Sequence, residues 1–181
     1  MSTSEVKEAV ATEAGGNPGS ATRPYFTLRV KNTVDAQGRV QFPSRWKARA
    51  SGTTLVAWMR EMTVAVPVAG DPTMSDKKTV RYVEVMPADL FEEQYERVMA
   101  GCSNDGARHA ARRRLSRRIV ELDFDGSGRF SLPEEWRGPA DLKKEAWLVG
   151  CVYQFQIWSP DNLSAVELSD AQMLANEKLD L

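Results

Sequence analysis

The chain has 181 residues, of which 42% are hydrophobic and 27% charged. That is the balance of an ordinary globular protein, not of a collagen-like, wholly disordered or membrane-embedded one. Its longest apolar runs, such as Ala146 to Gly150, fall far short of the roughly 20 residues of a membrane helix. The formal net charge of −1, taken as a single number, is a poor credential for a nucleic-acid binder.

The chemistry-bearing residues are few. Cys102 and Cys151 are too few for a disulfide framework and fit a reducing, cytoplasmic compartment. No apolar segment follows Lys7 to make a signal peptide. His109 is the only histidine. Its neighbours Arg108, Arg112 and Arg113 disfavour a charged imidazole, which weakens any Ser-His-Asp or Cys-His reading. No spacing suggests a zinc site, and no glycine-rich phosphate loop occurs. Only carboxylate chemistry is left open to an enzyme, so the expectation is a protein without catalytic activity, cofactor or metal.

In chain order, residues 1–23 lack apolar periodicity and aromatics, and are expected to form a disordered tail. Tyr25 to Val34 is rich in β-branched and aromatic residues and predicts a strand. The cluster Asp35-Ala-Gln-Gly38 predicts a turn, Arg39-Val-Gln-Phe42 a returning strand, and Pro43 opens a short helix. Two strand-like stretches follow, Leu55–Met59 and Thr63–Val66. Residues 67–79 hold two prolines and a glycine and predict an exposed loop. Pro87–Met99 has the spacing of an amphipathic helix, with a second helix at Asp105–Arg117 and a last one at Asp161–Asn176.

The first pattern then recurs. Phe124-Asp-Gly-Ser-Gly-Arg-Phe-Ser-Leu-Pro-Glu-Glu-Trp136 aligns without gaps on Val34-Asp-Ala-Gln-Gly-Arg-Val-Gln-Phe-Pro-Ser-Arg-Trp46, at an offset of 90 residues. Trp147–Gly150 and Gln154–Trp158 supply a second strand pair. Most of the shared residues have structural duties. Asp35 and Asp125 suit hydrogen bonding to turn N–H groups, and Gly38 and Gly128 suit positive φ. Pro43 and Pro133 end a strand, while Trp46 and Trp136 fold back over the sheet. Arg39 and Arg129 are not needed by the turn.

Two copies of strand, Asp-x-x-Gly-Arg, strand, Pro and short helix, joined by a helical pair, resemble the MraZ family of bacterial transcription regulators. Arg118 to Pro133, Ala146–Gly150 and Phe155–Trp158 carry the resemblance most clearly, and it extends over about residues 25–165. It implies a mainly β, α+β fold in which two AbrB-like swapped-hairpin repeats interlock as an intrachain pseudo-dimeric barrel with peripheral helices. The implied layout is a first repeat at 25–66, a loop and helical linker at 67–118, a second repeat at 119–165, and a helix end and tail at 166–181. It further implies a ring-shaped homo-oligomer on the nucleoid. That assembly would bind direct repeats in double-stranded promoter DNA and repress the cell-division and cell-wall gene cluster. The family's reader positions fall on Asp35, Gly38 and Arg39, and on Asp125, Gly128 and Arg129. Gln37 stands where the family's first motif has Lys, and residues 67–86 exceed the usual link.

Local charge favours DNA where net charge does not. Residues 25–60 carry seven basic residues and only Asp35 as an acid, a local +6, whereas residues 119–158 carry a local −3. The expected DNA-binding set is therefore Lys31, Gln37, Gly38, Arg39, Arg45 and Lys47, with Arg129 from the second hairpin. The first hairpin would make the main contact and the second would maintain the assembly. Arg39 suits guanine recognition and Lys31, Arg45 and Lys47 suit phosphates. The competing role for Arg39 is an ion pair with Asp35 in its own turn. The six arginines between Arg108 and Arg118 suit either a phosphate-binding face or partners for Glu92, Glu93 and Glu96. An oligomeric scaffold, or an antitoxin-like protein-binding module, is the alternative function on this fold.

Overall fold

Every strand pairing in the computed structural model is antiparallel, and most pairings join the first half of the chain to the second. The structure describes residues 23–68 and 71–177. Its elements are β1 (Arg29–Thr33), β2 (Arg39–Gln41), α1 (Ser44–Arg49), β3 (Leu55–Val68), β4 (Asp71–Pro87), α2 (Ala88–Ala100), α3 (Asp105–Leu115), β5 (Ile119–Glu121), β6 (Arg129–Ser131), α4 (Glu134–Arg137), β7 (Glu145–Cys151), β8 (Gln154–Trp158) and α5 (Pro160–Glu177). They make a mixed structure of antiparallel sheet and helices. A six-stranded sheet runs β1-β7-β8-β4-β3-β5, and a separate two-stranded ribbon is β2-β6.

The order of the large sheet reads the same when the halves are exchanged. β1 and β5 are its edges, β7 and β3 lie inside them, and β8 and β4 meet at the centre. Thus β1 leaves its own half to pair with β7, and β5 leaves its half to pair with β3. The apolar face follows from alternation: Val40 and Phe130, opposite each other in the ribbon, are both buried. One continuous core draws on both halves, with Phe26, Phe42 and Trp46 packed against Phe130, Leu148 and Phe155. Burying large aromatics such as these gives about 1.5–3 kcal/mol each. A smaller cluster of Val64, Val80 and Trp158 is covered by Leu163 and Val166 of α5.

Several sequence expectations give way. Leu55–Met59 and Thr63–Val66 are not a strand pair but parts of one strand, β3, whose partner is β4. The loop expected at 67–79 is largely the outer part of β4, with Ala65 opposite Lys77 and Val64 opposite Lys78. Its two prolines and glycine read as loop, and Ser75–Thr79 are exposed, so the strand there arises from pairing with β3 and not from burial. Pro67 sits at a register irregularity next to Val68, where a missing ladder N–H is tolerated. The linker expected at 67–118 therefore contributes a central strand, and α5 runs unbroken through the boundary drawn at 165/166.

The strand expected over Tyr25–Val34 is shorter because Leu28 adopts a φ of +72°, which regular strands exclude. Residues 1–22 of the expected tail lie outside the described residues. Arg23 is described and forms ion pairs with Asp89, at 2.7 Å, and with Glu93. Among the described residues no helix is long and apolar enough to cross a membrane.

Candidate nucleic-acid interface

The two Asp-x-x-Gly-Arg turns have the same wiring. In the first, Asp35 Oδ1 accepts hydrogen bonds from the backbone N–H groups of Gln37 and Arg39, both at 2.9 Å. In the second, Asp125 Oδ1 accepts from Ser127 and Arg129, again at 2.9 Å. Gly38 and Gly128 close the turns with φ of +76° and +75°, a conformation that costs an L side chain dearly. The backbone N–H of Arg39, before all else, holds the Asp35 carboxyl below the ordinary carboxylate range, and that of Arg129 does the same for Asp125.

Each turn also holds its own arginine. Arg39 Nε donates to Asp35 Oδ2 at 2.7 Å, and Arg129 Nε donates to Asp125 Oδ2 at 2.9 Å. The intraturn ion pair is thus present in both copies. Gln37 adds a second tie, accepting at 2.8 Å from a terminal amino group of Arg39, whereas its counterpart Ser127 is too short to do so. Two of the five N–H donors of Arg39 are therefore engaged within its turn, and others remain to face outward.

Beyond the turns, β2 and β6 form a two-stranded ribbon in which Arg39 faces Ser131 and Gln41 faces Arg129. Val40 and Phe130 point into the core, so Arg39, Gln41, Arg129 and Ser131 share the outer side. The ribbon is short, and the two arginines lie at opposite ends of it. Gln41 Nε2 braces it by donating to the carbonyls of Ser127 and Gly128, both at 3.2 Å. Pro43 and Pro133 stand at the starts of α1 and α4. Behind them Trp46 donates its indole N–H to Thr27 O at 3.1 Å, and Trp136 donates to Arg117 O at 3.3 Å. Both indoles are buried.

The other expected contacts scatter. Arg45 is exposed on α1. Lys31 is paired with Glu145 at 2.9 Å across the β1–β7 ladder, beside Trp147. Lys47, expected with the first hairpin, lies instead over Gly128 of the second. Its counterpart Arg137, which sequence reasoning left out of the site, lies over Gly38 of the first. The recurring pattern itself held the signal, since Arg137 aligns with Lys47 at the same offset of 90 residues. Charge sums taken along the chain therefore do not describe the hairpin tips.

The arginine run is only partly neutralised, and not by Glu92, Glu93 and Glu96. Arg118 and Arg81 reach Glu61 of β3 at 3.3 Å, and Arg114 reaches it at 3.7 Å. Arg118 above all lowers the carboxyl pKa of Glu61. Arg112, Arg113 and Arg117 are exposed. Among the described residues, no group of three or more His, Cys, Asp or Glu is placed to hold a metal ion.

Comparison with known proteins adds an identity to this geometry. Residues 115–179 match a family model described as "MraZ protein, putative antitoxin-like". A protein of Pseudomonas putida F1 named Transcriptional regulator MraZ is 32% identical to this chain over 142 residues, covering 76% of this chain and 82% of the relative. Relatives of the same name from Pseudomonas entomophila L48 and Pseudomonas fluorescens Pf0-1 are 32% and 33% identical over the same extents. With that identity sustained over three quarters of its length, the chain belongs to the MraZ family.

Proposed function

We propose that this protein is a transcriptional regulator, not an enzyme, that reads duplex DNA with the outer side of the β2–β6 ribbon. The observation carrying this reading is the pair of turns with the same Asp–Arg wiring, whose arginines share that side with Gln41 and Ser131. The major groove of B-DNA admits a two-stranded β-ribbon, and a bidentate arginine–guanine pair gives about 1–3 kcal/mol of discrimination. A half-exposed carboxylate in the same turn is a weaker partner, because solvent partly screens it. Arg39 therefore leaves Asp35 for a guanine edge, while Asp35 keeps its two backbone bonds and the turn keeps its shape.

The finer reading follows the family. Two AbrB-like repeats interlock within one chain, and copies assemble into a ring in the cytoplasm, on the nucleoid. The assembly binds direct repeats in a promoter and represses the cell-division and cell-wall cluster. Several identical tips on repeated sites would raise affinity through effective concentration without new contacts. A scaffold or antitoxin-like module that does not read DNA is the second reading. It is favoured by Gln37, which ties down Arg39.

Fluorescence anisotropy with the duplex upstream of the protein's own gene, beside a scrambled duplex and at several salt concentrations, tests the proposal. Specific binding that weakens with salt is expected. Arg39→Ala should then lose about tenfold or more in specific affinity with oligomer size unchanged. Equal or absent binding to both duplexes at low salt would support the scaffold.

A further inference from the structure

We propose that Lys47 and Arg137 are phosphate ligands that act across the halves, each completing the DNA-binding tip of the hairpin opposite. The inference rests on the DNA reading above, adds Arg137 to it and moves Lys47 from the first hairpin to the second. A Cβ built on Gly128 would lie 2.9 Å from Lys47 Nζ, and one built on Gly38 would lie 2.7 Å from an Arg137 terminal nitrogen. Each turn glycine thus serves two ends: it accepts a positive φ, and it leaves room for a cation brought by a helix of the other half. The arrangement is reciprocal, since Lys47 and Arg137 occupy matching places in the duplicated sequence. One is a lysine and the other an arginine, so the placement follows from the fold and not from a particular side chain.

Both cations have little charge compensation. Among the described residues no carboxylate lies within 4.0 Å of Lys47 Nζ, and Arg137 has only Glu134 at 3.9 Å. Among the described residues Arg137 Nε is buried with no hydrogen-bond partner. Each cation lies over the glycine that precedes a turn arginine with unspent N–H donors. A guanidinium that reads a base edge and a second cation at the same turn is a fitting pair for a groove and its adjoining phosphate.

The arrangement makes an unusual demand on double-mutant cycles, which separate neighbours from independent sites. Anisotropy is measured on the full chain with the own-gene upstream duplex and with a scrambled duplex. Lys47→Gln and Arg137→Gln should each weaken both duplexes alike, by about three- to tenfold, and lower the salt slope by about one per bound tip. The effect of Lys47→Gln should shrink in the Arg129→Ala background and persist in full in the Arg39→Ala background. Arg137→Gln should show the reverse. Lys47→Arg and Arg137→Lys should restore affinity, and melting curves should show all variants folded. Coupling of Lys47 to Arg39, or unaltered affinity in both Gln variants while Arg39→Ala and Arg129→Ala weaken binding, would overturn the inference and leave the DNA reading standing. Failure of the unmodified chain to bind either duplex would overturn both.

Discussion

Asp35 and Asp125 are small residues with large responsibilities. Each organises a turn through two backbone N–H bonds and steadies the arginine beside it. Because their carboxyls are held below the ordinary range in the folded chain, they contribute stability above the usual Asp pKa of about 4 and lose it as pH falls through their depressed values. Asp35→Asn with Asp125→Asn should therefore lower the melting temperature at neutral pH. The same double variant should also flatten the loss of stability that the native chain shows on acidification. Carboxyl NMR titration checks the cause directly: both resonances should titrate below the ordinary range. These turns were legible in the sequence because one residue pattern appears twice and each member has a local duty. The cations of Lys47 and Arg137 were not assigned to their tips, because their placement over the opposite turns is a tertiary fact with no local signature.

Elements were legible where burial shaped their composition. The buried faces of β2, β6, β7 and β8 and the amphipathic α2 declare themselves by spacing. The outer part of β4 does not, since Ser75–Thr79 is exposed and its strand form comes from the ladder with β3. Close approach between elements is equally hidden from a sequence. Gly150 of β7 lies against the chain leading into β1, and a Cβ there would stand 2.6 Å from the carbonyl carbon of Phe26 and from Thr27 N. Neither atom belongs to a flexible side chain that could move aside. Gly150→Ala should cost at least the 1–3 kcal/mol typical of overpacking, about a few degrees in melting temperature. The loss should exceed that of Gly52→Ser, where the positive φ is strained but among the described residues nothing lies within 4 Å.

At the scale of the molecule, the halves are completed only by each other. β1 needs β7, β5 needs β3, and the ribbon needs one strand from each half. The recurring residue pattern could be read from residues alone, but the exchange of strands was implied by the family resemblance and not by any spacing. A chain split after Gly101, in the turn between α2 and α3, should test the exchange. The two fragments, made together, should co-purify in equal amounts with a native-like melting transition. Either fragment made alone should be insoluble or unfolded, because its edge strand and much of its core would lack a partner. Independent folding of one fragment would contradict the reciprocal core.

The exchange also sets a timetable for synthesis on the ribosome. Arg29 pairs with Val149, so β1 emerges early and waits until nearly the whole chain has been made. At about 5–20 residues per second, the wait is on the order of ten seconds. During it β3 and β4 can close as a local hairpin, but their outer edges lack β5 and β8, the strands that later cover them. Such open edges are templates for pairing with neighbouring chains. A nascent copy of this protein is thus most vulnerable to aggregation just before its last third appears, and slow translation of that last third would prolong the exposure.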